Sequence, residues 1–214
     1  MAHVKLKKLE SILQEVETFN NPKVQLEQYP TTPHLSASVL HTIESRWNDI
    51  NEKTIVDLGC GCGVLSIGAV VLGCNYCLSI DIDSDALEVC DTNIKDMEID
   101  NVDLLQMDVL KVIDNEKFHK KFDTVITNPP FGTKNNSGID MDFLKAAMWM
   151  SNSAIYSFHK TSTRKYILSK MGEWGYSSEV IAQLRFNIPQ TYKFHKQKSV
   201  DIEVDVFRFT PNPS

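Results

Sequence analysis

Thr54-Ile55-Val56-Asp57-Leu58-Gly59-Cys60-Gly61-Cys62-Gly63 decides the fold. A short apolar run stops at a carboxylate and gives way to alternating glycines. Val64 to Leu72 then continues as a helix that Gly73 closes. Strand, glycine turn and helix in that order open a parallel crossover unit. The turn removes side chains where a ligand can approach the backbone and the helix N-terminus.

The alternation runs on through the chain. Tyr76 to Ile80 reads as a strand ending in Asp81-Ile82-Asp83, with Ser84 capping the next helix. Val102 to Gln106 is a short strand leading to Asp108, and Val109 to Phe118 is loosely helical. Phe122 to Thr127 is β-branched enough for a buried strand, and it opens into Asn128-Pro129-Pro130-Phe131. Gly132 to Ile139 is a polar loop, Met141 to Met150 a helix, Ala154 to Phe158 a strand and Thr161 to Trp174 a helix. Glu179 to Phe186 and Val200 to Phe209 form a closing hairpin. This pattern predicts an α/β fold: a mostly parallel sheet with helices on both faces and an antiparallel strand at the end. Upstream, Leu6, Leu9, Leu13 and Val16 place a helix over Val4 to Phe19. Leu35, Val39, Ile43 and Trp47 place another from about His34. One domain is expected, with 1–50 a helical extension, 51–209 the core and 210–214 a flexible tail.

Composition narrows the class. An apolar fraction of 42% and a charged fraction of 23% are those of a soluble globular protein. No run approaches a membrane span and no signal peptide opens the chain, so an intracellular protein is expected. Five cysteines fit reduced thiols of the cytosol or nucleus. Cys74 and Cys77 have zinc-type spacing, but no second pair follows, and no metal is expected. The net charge of −6 argues against a generic nucleic-acid binder. Local basic stretches stand out against it. Lys160, Arg164, Lys165 and Lys170 have no acid among them, nor do Arg185, Lys193, Lys196 and Lys198. Tyr192, Phe194 and His195 interleave with the second set, a pattern suited to stacking and phosphate contact with RNA.

In an open parallel sheet, ligands sit beyond the carboxyl ends of the strands. Here those ends carry the glycine turn, Asp81, Asp108 and Asn128. The third glycine comes one residue too early for a dinucleotide fingerprint. Asp57 beside the turn disfavours a pyrophosphate and favours a cationic or zwitterionic ligand. Asp81 is placed for two ribose hydroxyls. Asp108 and the Val109 N–H are placed for an exocyclic amine and a ring nitrogen. Adenosine with a cationic amino-acid tail describes S-adenosylmethionine. Asn128-Pro129-Pro130-Phe131 is a rigid turn offering an amide, carbonyls and a ring. The asparagine oxygen and the Pro129 carbonyl can accept both hydrogens of a planar amine, while Phe131 stacks on its plane.

The glycine turn, Asp81 and the Asn-Pro-Pro-Phe turn resemble the class I amino-methyltransferases. Glu27-Gln28-Tyr29-Pro30-Thr31, Phe131-Gly132-Thr133-Lys134-Asn135-Asn136 and Tyr192-Lys193-Phe194-His195-Lys196 narrow the resemblance to the methyltransferase-like five family. Those are eukaryotic enzymes that make N6-methyladenosine in 18S ribosomal RNA. The resemblance implies a Rossmann-like, seven-stranded sheet and S-adenosylmethionine held by Gln28, Thr31, Gly59, Cys62, Val64, Asp81, Asp108 and Val109. Composition alone reads the loop around Gln28 as a connector. Asn128 to Phe131 would hold the adenine, and Lys160, Arg164, Lys193, Phe194, His195, Lys196 and Lys198 the RNA. The third strand, Val102 to Gln106, belongs at a sheet edge and has no proline or lysine guard. The resemblance implies a small zinc-binding, Trm112-like activator adding a strand there, in a heterodimer of nucleus and cytoplasm. Glutamine N5-methylation of a protein uses a similar turn, usually with tyrosine in place of Phe131 and a separate substrate domain. A nicotinamide dehydrogenase would leave Asn128 to Phe131 unexplained, and a non-catalytic RNA-binding scaffold would not need the turn intact.

Overall fold

A computed structural model describes residues 4–113, 115–132, 138–189 and 199–213. The helices are α1 Leu6–Leu13, α2 Pro33–Trp47, α3 Val64–Val71, α4 Ser84–Asp96, α5 Ile139–Met150 and α6 Arg164–Glu173. The strands are β1 Thr54–Leu58, β2 Tyr76–Asp81, β3 Val102–Gln106, β4 Phe122–Thr127, β5 Ser151–Lys160, β6 Tyr176–Pro189 and β7 Ser199–Pro211. They form one seven-stranded sheet in the order β3-β2-β1-β4-β5-β7-β6. β1 pairs parallel with β2 and β4, β2 with β3, and β4 with β5. β7 slots antiparallel between β5 and β6.

Side-chain alternation sends successive residues to opposite faces. Ile55, Tyr156, Phe158 and Val206 bury with Leu9, Leu13, Leu40, Ile43 and Ile67 on one face. Val56, Ile155, Phe207 and Phe209 bury with Leu144, Met150 and Ile167 on the other. A polar clamp ties the sheet to the end of α2. The Tyr156 hydroxyl donates to Asp49 Oδ2 at 2.6 Å, and Arg208 Nε donates to the same oxygen at 3.1 Å.

Strand order reverses between β1 and β4. The glycine turn after β1 and the Asn-Pro-Pro-Phe turn after β4 therefore emerge side by side, where crossovers to opposite faces leave a cleft.

Three local expectations are corrected. The first helix ends at Leu13, because the Glu17 N–H bonds Asn93 Oδ1 at 2.9 Å and draws the chain off the helical path. Among the described residues, Val109 to Phe118 resolves into successive tight turns rather than one helix: Val109–Lys111, where Asp108 accepts from the Leu110 N–H, then turns closed by the Asn115 N–H on the Val112 carbonyl at 3.2 Å and the Phe118 N–H on the Asn115 carbonyl at 3.0 Å. Residues 210–213 are not loose. Thr210 and Pro211 belong to β7, the Asn212 N–H bonds the Gly175 carbonyl at 2.9 Å, and Ser177 Oγ bonds Asn212 Oδ1 at 2.6 Å.

Candidate active site

A cavity of about 230 Å³ lies over the carboxyl ends of β1, β2 and β4. Gln28, Thr31, Gly59, Cys62, Val64, Asp81, Asp108 and Val109 all line it, as do Asn128 and Pro130. Pro129 and Phe131 stand outside that lining. The Phe131 ring packs edge-on against Phe186 with centroids 6.1 Å apart.

The glycines serve the protein as much as any ligand. A Cβ at Gly61 (φ +54°) would meet the Phe19 ring at 2.8 Å, and one at Gly63 (φ +86°) would meet Cys90 Sγ at 2.4 Å. Both positions require the left-handed backbone, and both admit a neighbour's side chain. Asp81 holds the turn from below, accepting the Gly61 N–H at 2.8 Å and the Asp83 N–H at 2.9 Å. Burial raises its carboxyl above the ordinary range, an effect those backbone bonds partly offset. Each oxygen still has a lone pair for a donor from the cavity.

Asp57 departs from the charge expected beside the turn. It is 1% exposed and does not line the cavity. Its Oδ2 accepts the Ser66 N–H at 3.0 Å and the Ser66 hydroxyl at 2.7 Å, while Oδ1 is buried without a partner. Burial pushes its pKa up from 3.8 to about 7, against the pull of those Ser66 bonds. Asp57 is therefore a buried brace under α3, not an anion facing a ligand. Between these pKa values the folded chain keeps a proton that the unfolded chain has released. Stability is then fully present at low pH and falls as pH rises through about 7. The Asp57 contribution has a slope approaching ~1.4 kcal/mol per pH unit inside the window. Asp57→Asn should flatten that fall between pH 5 and pH 7.5 in urea unfolding; identical slopes for both proteins would refute it.

The segment from Lys23 to Thr32 straps the cavity. At one end, the Lys23 ammonium and the Gln28 amide (Nε2, 2.7 Å) both reach Asp83. Burial alone would raise the Asp83 carboxyl; those donors and the Asp85 N–H outweigh it and hold it low. At the other end, the strap meets the turn after β4. Asn128 Nδ2 donates to Thr31 Oγ1 at 2.9 Å, and the Phe131 N–H donates to Glu27 Oε2 at 2.8 Å. Asn128 Oδ1 is left buried with no partner. Of the strap's roles, those of Glu27, Lys23 and Asp83 were not read from sequence. Nothing in local spacing joins positions 27 and 131.

Residues 18–188 match a family described as conserved hypothetical protein 95. The chain is 55% identical to the rRNA N(6)-adenosine-methyltransferase METTL5 of Danio rerio over 208 residues, covering 97% of this chain and all of that protein. It is 52% identical to the Drosophila melanogaster counterpart, covering 98% of each. The chain belongs to the METTL5 family of rRNA N6-adenosine methyltransferases. A candidate RNA methyltransferase from Pyrococcus horikoshii, PH1948, superposes with a TM-score of 0.83 at 31% identity, covering 98% of this chain and 97% of that one. The fold is thus the Rossmann-like class I form, and a METTL5-family fold implies a methyl donor of the S-adenosylmethionine type.

The basic residues are distributed less simply. Lys193, Phe194, His195, Lys196 and Lys198 lie outside the described residues. Lys160 ends β5 at the same sheet edge as Asn128 and is half-buried. Arg164, expected on RNA, is partly exposed and forks onto Asp205. Its Nε and Nη2 bond Asp205 Oδ2 and Oδ1 at 2.6 and 2.7 Å, and Asp205 is fully buried. The structure thus gives Arg164 a partner, Asp205, beside the RNA role expected of it. In this METTL5-family chain Cys74 and Cys77 are buried core thiols, and no cluster of metal-ligating side chains occurs among the described residues.

Proposed function

We propose that this chain methylates N6 of an adenosine in 18S ribosomal RNA with S-adenosylmethionine as donor. The observation that carries the reading is the Asn128 amide. Its nitrogen is engaged by Thr31, so its oxygen is presented as an acceptor, and that oxygen is buried and unsatisfied. An orphaned buried acceptor costs about 1–3 kcal/mol, a cost that a bound N–H donor removes.

The cavity suits the donor. Asp81 has acceptor capacity for ribose hydroxyls, the Val109 and Phe143 side chains supply apolar wall, and the glycine turn brings backbone close. When bound, S-adenosylmethionine supplies a methyl group on a positively charged sulfur. Asn128 Oδ1 and the Pro129 carbonyl then accept the two N6 hydrogens. They draw charge toward the nitrogen and free its lone pair for attack. Both bonds strengthen as N6 gains positive charge, which is the differential stabilisation catalysis needs. The methylated nitrogen is acidic and loses its proton without a side-chain base. Phe131, held by Phe186 and Glu27, supports the base by stacking, worth roughly 1–3 kcal/mol.

The RNA substrate accords with the activity for which the zebrafish and fly relatives are named. Nucleoside mass spectrometry of 18S RNA from cells lacking the protein tests the reading. One N6-methyladenosine should vanish and return with the wild-type chain; unchanged N6-methyladenosine overturns the assignment.

We also propose a small zinc-binding, Trm112-like subunit on β3. β3 is an edge strand, and Ile82 and Leu110, near its carboxyl end, are 49% and 52% exposed. An unguarded edge beside exposed apolar side chains invites an added strand. Expressed alone, the chain should be largely insoluble, and co-expression with the subunit should rescue it. A soluble, fully active monomer would exclude the partner.

A further inference from the structure

We infer that the strap over the cavity also sets the methyl acceptor's turn, with Glu27 and Thr31 acting as positioning residues for Asn128 and Phe131. The inference rests on the reaction proposed above. Two hydrogen bonds converge. Thr31 Oγ1 takes the Asn128 amide N–H at 2.9 Å, which fixes the amide plane and turns its oxygen away from the strap. Glu27 Oε2 takes the Phe131 N–H at 2.8 Å, which fixes the backbone on the far side of the two prolines. Each end of the turn therefore hangs on the same strap, from positions 97 and 104 residues away in sequence.

The backbone at Glu27 points the same way. It adopts the left-handed conformation, φ 50° and ψ 43°, which favours glycine or asparagine over a long side chain. Glutamate at that site is only 9% exposed, its carboxylate turned inward onto the turn. A connector would have no use for a buried carboxylate in a disfavoured conformation. A residue that must deliver an acceptor to the Phe131 N–H does.

The strap is anchored at its other end by Asp83, through Lys23 and Gln28. Covering the cavity and aligning the acceptor amide are then one structural event. Loss of the Glu27 or Thr31 contact leaves the cavity walls from β1 and β2 intact while the turn loses its registration. A small misplacement of reacting groups is enough to cost about 100-fold in rate.

The test compares Glu27→Ala, Glu27→Gln, Thr31→Val and Thr31→Ser in the full chain. Turnover is measured at saturating S-adenosylmethionine on 18S RNA from cells lacking the protein. Affinity for S-adenosylhomocysteine is measured by calorimetry, and exchange of the Phe131 amide by mass spectrometry. Glu27→Ala should lower kcat by about 30-fold and Thr31→Val by about tenfold. Affinity for S-adenosylhomocysteine should stay within about threefold in the two Glu27 variants, since the bond lost there is not to it; at Thr31, itself expected to touch the cofactor, the readout is the recovery of kcat by serine over valine. Glutamine and serine, which retain an acceptor oxygen, should restore most of kcat. Phe131 amide exchange should accelerate in Glu27→Ala alone. That readout involves no substrate, so it judges the clasp even if wild-type chain fails to methylate the RNA, a result that would reject only the reaction. Should Glu27→Ala fail to fold, the valine and serine pair at 31 decides. Unchanged kcat, a parallel loss of cofactor affinity in the Glu27 variants, or unaltered Phe131 exchange overturns the inference.

Discussion

Replacing Asn128 with alanine should abolish most turnover, by about 10²–10³-fold in kcat, while leaving cofactor affinity near that of the wild type. The size follows from where the amide acts. Its oxygen is buried, so it meets the developing charge on N6 in a low-dielectric setting where a fixed dipole is worth far more than in water. Cofactor affinity is spared because Asn128 is not among the contacts expected of the donor, which lie on Gln28, Thr31, the glycine turn, Asp81 and the Val109 turn. Thr31 loses a partner, but its backbone stays tied through Ser36 Oγ to the Thr31 carbonyl at 3.4 Å. Turnover within about tenfold of wild type would mean that the amide does not perform this role. Steady-state kinetics on 18S RNA, with calorimetry on S-adenosylhomocysteine, separates the two parameters.

Arg164→Ala should lower stability measurably, because Asp205, the other half of the pair, is fully buried. Removing the guanidinium deletes both bonds of the fork and leaves the Asp205 carboxylate buried, with the Thr161 hydroxyl donating at 2.9 Å. An uncompensated buried charge is what makes such deletions severe. The double change Arg164→Ala with Asp205→Ala should recover much of the loss, since it removes the stranded charge as well. Equilibrium urea unfolding measures both. If Arg164→Ala unfolds like wild type, the bracing of Asp205 by Arg164 contributes nothing and this reading is wrong.

These two residues show what the chain disclosed unaided. The order of strands and helices was legible because hydrophobic period and glycine punctuation are local signals. The Asn-Pro-Pro-Phe turn was legible because two prolines after a β-branched run leave little else for it to be. The fork of Arg164 onto Asp205 was not legible, because Asp205 becomes a neighbour only when β7 inserts beside β5. Asp57 was misread for a related reason. A carboxylate next to glycines looks like an anion facing a ligand, but its orientation depends on α3 packing over it and offering Ser66. Gln28 and Thr31 came to attention through the family resemblance alone. Their chemistry depends on Asp83 and Asn128, each more than 50 residues away.

The most direct measurement is a crystal structure with a bisubstrate analogue in which adenosine N6 is joined to the S-adenosyl skeleton. Asn128 Oδ1 should lie about 2.9 Å from N6. Its amide nitrogen should remain on Thr31, and the adenine should lie against Phe131. An amide oxygen turned away from N6, or a purine seated outside the mouth of the cavity, would contradict the account.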